Sequence, residues 1–334
     1  MPVYNCAPFV KQAVESILQQ TYSHFELLVI DDCSTDNTAA IVQNIKDERI
    51  VFIKKEKNTR YTNSLNMGLN LAKGQYIARM DGDDYSLPQR FERQMAAMEA
   101  DKAIALCGTW YRIMDSEKVV AYPTESDAIK IALLSYSPIG HPTAFLRKSS
   151  LQKLGLSYDS AFEPAEDYRL WTQLAARHTI VNIPEILLNY RVHSTQVSQQ
   201  KMELQQAHSN KIRLMQLQHL KISPTNGQEE LHIALVTNNI AASRSFSNAQ
   251  VQEWLMLLHQ SNQLEKIYEP GGLSVLLMEY WHRSVFSRFE YNPATLKMDW
   301  GSPFGLYKKL GRAGYLKFMI KCIFKNNKVA HQTH

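Results

Sequence analysis

The sequence predicts an α/β domain built on a largely parallel sheet, followed by a region made of helices. Over roughly the first two hundred residues, short apolar runs alternate with patterns of helical period, which is typical of parallel strands joined by helices. Beyond about residue 199 the apolar runs stop and glutamine-rich helical patterns take over. We therefore expect an α/β domain over residues 1–198 and a helical C-terminal region over residues 199–334.

Each element of the α/β domain is predicted by its own apolar pattern. The expected elements are, in chain order, a helix through Val10, Val14, Ile17 and Leu18, a strand over residues 25–30, a helix over 38–45, a strand over 50–53, a helix through Leu65, Leu69 and Ala72 that ends at a left-handed cap on Gly74, a strand over 76–80, a helix over 168–177 and a strand over 186–190. This order of strands and helices is what the predicted fold class requires.

Composition narrows the class of protein. A chain of 334 residues can bury its own core as one large domain or two of ordinary size. The four cysteines show no CxxC spacing, which argues against a zinc site and for a reducing compartment. No apolar run reaches the length of a membrane span, and no signal-peptide pattern is visible. We expect a cytoplasmic protein with a modest net charge of +5 and no nucleic-acid partner.

A cluster of three carboxylates follows the predicted strand over residues 76–80. Asp81, Asp83 and Asp84 lie within four residues, and carboxylates so close repel one another unless a cation neutralises them. Oxygen ligands of this kind suit a hard divalent ion such as Mg²⁺ or Mn²⁺. The alternative is an acidic turn that caps a helix beginning near Pro88. Metal binding is the first hypothesis.

A second acidic pair, Asp31 and Asp32, directly follows the predicted strand over residues 25–30. Ligands of open α/β sheets bind at the carboxyl ends of the strands, so this pair and the acidic cluster are expected at one edge. Capping of the next helix, together with Ser34, is the alternative for Asp31 and Asp32. Lys54, Lys55 and Lys57 are interpreted as a solvated edge.

The motifs together closely resemble those of family 2 glycosyltransferases. The matching stretches are residues 2–5, 16–22, 25–36, 81–84, 141–143, 166–168 and 190–193, so the likeness covers roughly residues 1–198. The resemblance implies a GT-A fold, which is a Rossmann-like sheet flanked by helices. It also implies a nucleotide-sugar donor, a divalent cation such as Mn²⁺ or Mg²⁺, and transfer with inversion at the anomeric carbon.

The resemblance also assigns roles on the donor side. Asp81, Asp83 and Asp84 would hold the metal, with Asp83 as the first choice for direct ligation. Asp32 would accept a hydrogen bond from the uracil ring of a UDP-sugar, and the backbone around Pro2, Val3 and Tyr4 would line the other side of the base. The metal would act as a Lewis acid toward the departing diphosphate.

The resemblance also assigns roles to the motifs that follow residue 140. By resemblance, Asp167 is the base that deprotonates the acceptor hydroxyl, and Glu166 positions the acceptor or its loop. The alternative is that both carboxylates merely occupy the first turn of a helix, where negative charge is favourable. Arg191 and His193 would approach the diphosphate or the metal. His141 matches a stretch that borders the acceptor pocket, although a lone histidine is often structural.

Two departures from the family pattern concern the donor side. Arg60 stands where the family usually has glycine, so a bulky cation fills a permissive backbone position and is a candidate donor contact. The family also has an apolar strand just before the segment that begins at Pro2, and this first central strand is absent from the sequence. Its loss would expose pairing groups and remove core.

These motifs favour an inverting, metal-dependent hexosyltransferase of surface-polysaccharide synthesis, such as lipopolysaccharide or capsule, that transfers a sugar from a UDP-sugar to a saccharide acceptor. The alternative is an N-terminally truncated, inactive nucleotide-binding or scaffold protein of the same fold.

Near the C-terminus, Leu316, Met319, Ile320, Ile323 and Phe324 share a helical face flanked by lysines. This basic C-terminus suggests peripheral contact with the inner face of the cytoplasmic membrane and a lipid-linked acceptor; an ordinary packed helix is the alternative.

Overall fold

The computed structural model describes residues 1–193, 196, 201–288, 293–305 and 307–324. The chain divides into two compact units, Met1–Ser209 and Asn210–His334. The first unit contains all of the strands assigned in the described residues, and the second contains helices.

Nine strands form two sheets in the first unit. They are β1 (Pro2–Val3), β2 (Leu27–Asp31), β3 (Ile50–Lys54), β4 (Tyr76–Ala78), β5 (Tyr85–Ser86), β6 (Ile104–Ile113), β7 (Val119–Val120), β8 (Phe145–Arg147) and β9 (Thr179–Tyr190). The first sheet is parallel, in the order β1-β2-β3. The second has the order β4-β8-β6-β9-β5, with β7 beside β6. There, β6 and β9 pair in parallel, whereas the other pairs are antiparallel. The predicted parallel pairing therefore holds for the first sheet and only in part for the second.

In the described residues before position 194, seven α-helices accompany these strands. They are α1 (Val10–Leu18), α2 (Thr38–Asn44), α3 (Tyr61–Leu71), α4 (Arg90–Ala100), α5 (Ser126–Ala132), α6 (Lys148–Leu154) and α7 (Glu166–Ala175). The apolar face predicted for α1 is buried at Val10, Val14 and Ile17. The predicted cap at Gly74 is wrong, because α3 ends at Leu71 and its C-cap, Ala72, has an extended backbone (φ −56°, ψ 127°).

An apolar cavity of about 660 Å³ lies in the first unit between β2 and β4. Its lining includes Leu28 and Ile30 of β2, Ile77 of β4, Leu65 of α3 and Phe91 of α4. In the described part of the chain, β4 pairs only with β8, so its opposite edge faces this cavity unpaired. The absence of the family's first central strand, expected from the sequence, stays a prediction.

The remaining helices are α8 (Met202–Leu217), α9 (Asn226–Val236), α10 (Ile240–Ser243), α11 (Asn248–Glu265), α12 (Pro270–Arg288), α13 (Pro293–Gly301) and α14 (Tyr307–Phe324). Two of them begin with capping boxes, formed by Thr225 with Gln228 and by Ser247 with Gln250. Each box satisfies backbone N–H groups that the first helical turn leaves unpaired. The predicted domain boundary at residue 198 and the division between units after Ser209 differ by part of α8.

The C-terminal helix α14 is interrupted at Gly311, which has a left-handed φ of 63°. Tyr315, Phe318 and Cys322 are buried, whereas Leu316, Ile320 and Ile323 are exposed on the other side. Phe324 is helical, and Lys325 and Lys328 lie outside the described residues. Among the described helices, none is long and apolar enough to cross a membrane.

Candidate active site

The acidic cluster lies in the loop that follows β4. One ligand-capable oxygen from each of Asp81, Asp83 and Asp84 lies within 4.8 Å of the others. None of the three caps α4, whose N-cap residue is Gln89 and makes no side-chain capping bond. The structure therefore does not support the capping alternative.

Asp81 is held by two neighbours. The buried guanidinium of Arg79 donates from Nη1 to Oδ2 at 2.6 Å and from Nη2 to Oδ1 at 2.5 Å. The hydroxyl of Tyr61, at the first position of α3, donates to Oδ1 at 2.9 Å. A bidentate guanidinium fixes the plane of a carboxylate as well as its charge. Asp81 is consequently oriented before any ligand arrives.

Asp83 and Asp84 contact the segment that follows β9. Nε2 of His193 lies 2.8 Å from Oδ2 of Asp83, and Nε of Arg191 donates to the Asp83 carbonyl oxygen at 2.8 Å. The backbone N–H of Arg191 donates to Oδ1 of Asp84 at 2.9 Å. The other oxygen of Asp84, Oδ2, is buried and has no hydrogen-bond partner among the described residues.

The electrostatics of the cluster suit a cation. Burial and the charge of Asp81 raise the pKa of Asp83, and burial with the charges of Asp81 and Asp83 raises the pKa of Asp84 well above its ordinary value. A divalent ion would relieve both effects, because it would neutralise the mutual repulsion and use the unpartnered Oδ2 of Asp84. The residues present therefore fit a hard divalent ion.

The segment Pro2–Val3, with Tyr4 after it, passes directly beside the acidic loop. A Cβ atom on Gly82 would lie 2.8 Å from Cγ1 of Val3, which is closer than real Cβ atoms approach, and 3.1 Å from Sγ of Cys6, which is tight. Glycine is thus required here by close approach. Pro2 and Val3 are buried, whereas the side chain of Tyr4 is 50% exposed. The backbone expected to line a nucleotide base is adjacent to the acidic cluster.

Asp32 follows β2 and is buried in a polar network. Its Oδ1 lies 2.5 Å from Nζ of Lys55 and accepts the backbone N–H of Thr59 at 3.0 Å. Lys55 also donates to Oγ of Ser64 at 2.9 Å. The interpretation of Lys55 as part of a solvated edge is wrong, because its side chain is buried by this ion pair. Asp31 instead accepts from the backbone N–H and hydroxyl of Ser34, and helix α2 has no side-chain cap.

Arg60 adopts a strained backbone. Its φ of 74° and ψ of 160° fall in a region that is essentially restricted to glycine. The residue is exposed, and its N–H donates to Oδ1 of Asn58 at 3.0 Å. Because it immediately precedes α3 and follows Thr59, the strained residue lies next to the partner of Asp32. Its predicted contact with a donor stays a prediction.

Glu166 and Asp167 form the start of α7. The N-cap residue, Ala165, makes no side-chain bond, so the two carboxylates provide the negative charge at this helix terminus. Burial, followed by repulsion from Asp167, raises the pKa of Glu166 to about 8. Burial likewise raises the pKa of Asp167 to about 6, while the charge of Arg79 opposes that rise. The charge of Asp81 contributes to that rise, so Asp167 lies within electrostatic range of the acidic cluster.

His141 lies in an aromatic cluster beside these carboxylates. Its Nε2 lies 3.1 Å from the hydroxyl of Tyr158, and its ring contacts Trp171 edge to face. Nδ1 lies 4.0 Å from Oε1 of Glu166. Burial and the charge of Arg79 hold the pKa of His141 well below its ordinary value, so the imidazole is neutral and this contact is not an ion pair.

Several residues of the site were not found from sequence. Arg79, Tyr61 and Lys55 hold the predicted aspartates, and Phe9 packs its ring 4.8 Å from that of His193. The guanidinium of Arg191 lies over the same Phe9 ring at 4.7 Å. The sequence carried one usable signal, since Arg79 and Asp81 lie two residues apart at the end of a strand. The other contacts join distant segments.

Comparison with known proteins decides the family. A family model described as glycosyl transferase family 2 matches residues 1–155. The Escherichia coli protein WfaP, named UDP-Glc:alpha-D-GlcNAc-diphosphoundecaprenol beta-1,3-glucosyltransferase, is 31% identical over 201 residues that cover 60% of this chain and 78% of that protein. The chain belongs to glycosyltransferase family 2. The Escherichia coli protein WfgD, which has the same enzyme name, is 30% identical over 61% of this chain and 79% of that protein.

Other similarities are of more limited extent. An uncharacterized glycosyltransferase of Haemophilus influenzae is 31% identical over 58% of this chain, and the match spans only 65% of that relative. Among solved structures, Staphylococcus aureus TarS in complex with UDP has a TM-score of 0.55 at 17% identity, over 86% of this chain and 87% of that one. At this identity the likeness shows the fold alone. The family 2 glycosyltransferase therefore has the GT-A fold with a C-terminal helical region.

Proposed function

We propose that this glycosyltransferase transfers a sugar from a UDP-sugar to a saccharide hydroxyl with inversion, in the synthesis of a surface polysaccharide. The observation that carries the proposal is the proximity of three motifs: the N–H of Asp32 donates to the Val3 carbonyl oxygen, Val3 lies against Gly82 of the acidic loop, and the charge of Asp81 acts on Asp167. Relatives support the donor and pathway class, because WfaP and WfgD are named as UDP-Glc transferases that act on a diphosphoundecaprenol-linked sugar.

On the donor side, Asp32 is placed to recognise a uracil ring, with Pro2, Val3 and Tyr4 on the other side of the base. The Lys55 ammonium and the Thr59 N–H keep Asp32 oriented. Asp81, Asp83, Asp84 and His193 are the candidate ligands of a divalent ion. Such an ion, when bound, supplies positive charge that stabilises the departing diphosphate. A Pyrobaculum calidifontis mannosyltransferase of similar fold (TM-score 0.53, 16% identity) was solved with GDP-Man and Mn²⁺.

On the acceptor side, Asp167 is the proposed general base. Its carboxylate is half-buried, and its pKa of about 6 leaves it mainly ionised at neutral pH yet more basic than an ordinary aspartate. Asp167 takes the proton of the acceptor hydroxyl while the acceptor oxygen attacks the anomeric carbon from the face opposite UDP. The bond from that carbon to UDP breaks as the new glycosidic bond forms, so the anomeric carbon is inverted. Glu166, with a pKa of about 8, is mainly protonated at neutral pH and can donate a hydrogen bond to an acceptor oxygen.

The function is tested by measuring UDP binding and UDP release from a panel of UDP-sugars, with Mn²⁺, with Mg²⁺ and with EDTA. We expect UDP to bind in the presence of either ion and at least one UDP-sugar to be turned over, with both activities lost in EDTA. Absence of UDP binding and of turnover of every UDP-sugar would contradict the proposal. Binding without turnover would favour the alternative of an inactive nucleotide-binding protein.

The acceptor is proposed to be lipid-linked, with the exposed side of α14 on an anionic membrane surface. Leu316, Ile320 and Ile323 are exposed at successive turns, and Lys317 and Lys321 lie beside them. Apolar side chains flanked by lysines suit the boundary between acyl chains and anionic headgroups.

Sedimentation with vesicles of phosphatidylglycerol tests this surface. We expect binding that weakens as salt rises, because the attraction of lysines to anionic lipid is screened. The double variant Leu316→Gln/Ile320→Gln should bind less, whereas Leu264→Gln, at an 80% exposed leucine of α11, should bind like the wild type. Binding that is absent, or equal for both variants, would remove the membrane proposal.

A further inference from the structure

Four tyrosines form a continuous row beside the candidate active site. Tyr111 lies on β6, Tyr190 ends β9, Tyr122 follows β7, and Tyr136 follows α5. These residues, here called the tyrosine row, come from four separate segments of the first unit. Parallel pairing of β6 with β9 brings Ile113 opposite Tyr190 and so sets the first two rings near each other.

The rings of the tyrosine row follow one another at contact distance. The centroids of Tyr190 and Tyr111 are 5.4 Å apart, those of Tyr111 and Tyr122 are 6.0 Å apart, and those of Tyr122 and Tyr136 are 6.5 Å apart with the planes only 29° from parallel. The hydroxyls of Tyr111 and Tyr122 are 3.4 Å apart. Such spacing is within the range of favourable aromatic pairs.

The row passes both groups of carboxylates. Tyr190 immediately precedes Arg191, whose N–H donates to Asp84. The charge of Asp84 contributes to a raised pKa of Tyr111, and the charge of Asp167 contributes to a raised pKa of Tyr122, although burial is the larger cause for both. The tyrosines therefore extend from the proposed metal site toward the proposed base.

The row also opens to solvent at one end. Tyr190, Tyr111 and Tyr122 are half-buried, and Tyr136 is 44% exposed. The partly exposed ring of Tyr136 leaves apolar area in water that a stacked ligand would cover. An aromatic strip that starts beside the proposed metal site and ends in solvent has the form of a track for an extended ligand.

We propose that the tyrosine row is the acceptor subsite, on which the sugar rings of a saccharide stack. A pyranose presents a face of C–H groups with partial positive charge, and this face complements the negative face of an aromatic ring. The tyrosine hydroxyls at the ring edges can bond to sugar hydroxyls. The subsite rests on the proposed function, because it assigns the acceptor of the same reaction.

The test compares Tyr136→Ala with Tyr136→Phe in transfer to undecaprenyl-diphosphate-linked mono- and disaccharides. Loss of one stacking ring should raise the KM for the saccharide acceptor roughly tenfold, with kcat and the KM for the UDP-sugar nearly unchanged. Tyr136→Phe, which keeps the ring, should raise that KM by no more than about twofold. Trp300→Ala, at an exposed aromatic residue of α13, is the matched control and should behave like the wild type.

Hydrolysis of the UDP-sugar in the absence of acceptor separates the two proposals. If the wild type neither binds UDP nor hydrolyses a UDP-sugar, the proposed function fails. If hydrolysis proceeds but Tyr136→Ala leaves the acceptor KM unchanged, the function stands and the tyrosine row is not the acceptor subsite. Hydrolysis by a wild type that transfers to none of these saccharides would also overturn the subsite.

Discussion

The two sides of the candidate site are stabilised in different ways. On the donor side, Asp81 is bound by Arg79 and Tyr61, and Asp32 by Lys55 and Thr59, so these two carboxylates are each compensated by a cation, whereas burial raises the pKa of Asp83 and Asp84. On the acceptor side, burial dominates the pKa values of Glu166 and Asp167, and Oε2 of Glu166 has no hydrogen-bond partner among the described residues. The partners of Asp81 and Asp32 therefore fix the orientation of those carboxylates, whereas the raised pKa values of Glu166 and Asp167 suit proton transfer.

Removing the proposed base should have the largest effect. Asp167→Asn keeps the shape of the side chain but cannot accept a proton, so we expect kcat for transfer to fall by about 10²–10⁴-fold. UDP affinity should stay within about twofold, because the donor-side carboxylates keep their partners. Steady-state kinetics and calorimetric titration with UDP measure the two quantities. Asp115→Asn, in an exposed turn, is the control. Equal loss of kcat in both variants, or loss of UDP binding in Asp167→Asn, would contradict the assignment of Asp167 to proton transfer on the acceptor side.

Breaking the donor-side ion pair should cost mainly stability. Arg79→Met leaves the Asp81 carboxylate without its guanidinium, and we expect the free energy of unfolding to fall by about 3 kcal/mol. The double variant Arg79→Met/Asp81→Asn removes the uncompensated charge and should recover more than half of that loss. Urea denaturation followed by circular dichroism measures both. If the double variant were no more stable than the single one, orientation of Asp81 by Arg79 would lose its support.

The acceptor side should make stability depend on pH. The pKa of Glu166 is raised in the folded protein to about 8, so folding favours the protonated side chain. The stabilisation from this protonated side chain is fully present below about pH 4.5 and is lost as the pH rises through 8. Glu166→Gln cannot ionise, so at pH 9 it should be more stable than the wild type by about 1–3 kcal/mol, with little difference at pH 5. Thermal unfolding at both pH values measures this. A wild type whose relative stability is unchanged between them would show that Glu166 is not buried as an acid.

Relieving the backbone strain at Arg60 should have the smallest effect. It also separates the cost of the strained backbone from any contribution of the Arg60 guanidinium to UDP binding. Arg60→Gly places glycine in its favoured backbone region, and we expect the free energy of unfolding to rise by about 1 kcal/mol. If the guanidinium contacts the donor diphosphate, UDP affinity should fall at the same time by about three- to tenfold. Arg60→Lys retains the strain and a charge and is the matched control. Unaltered UDP affinity in Arg60→Gly would remove Arg60 from the donor contacts.

What could be predicted from the sequence followed from local pattern. The apolar period of α1 and the runs of β2 and β3 predicted those elements. Asp32 and the acidic cluster each follow a strand, as expected, but β2 and β4 belong to separate sheets and not to one shared edge. The antiparallel pairing of β4 and β8 was missed, because strand direction depends on connections that apolar runs do not encode.

Partners of charged residues were equally hard to predict. Lys55 is one of three lysines within four residues, a pattern that usually indicates solvent, and only the fold brings it to Asp32, 23 positions earlier. The tyrosine row is similarly assembled from four segments. By contrast, the exposed apolar side of α14 was predicted in part, since Leu316, Ile320 and Ile323 repeat with the helical period.

The contact of Gly82 with Val3 and Cys6 has a consequence for the engineering of this enzyme. Libraries that randomise the acidic loop to change metal preference can vary the residues on either side of position 82. A side chain at 82 itself would push the loop away from β1, and the spacing between Asp81 and Asp83 would change with it. Position 82 is therefore the residue of this loop with the least freedom to vary, because its Cβ atom would meet Val3 and Cys6.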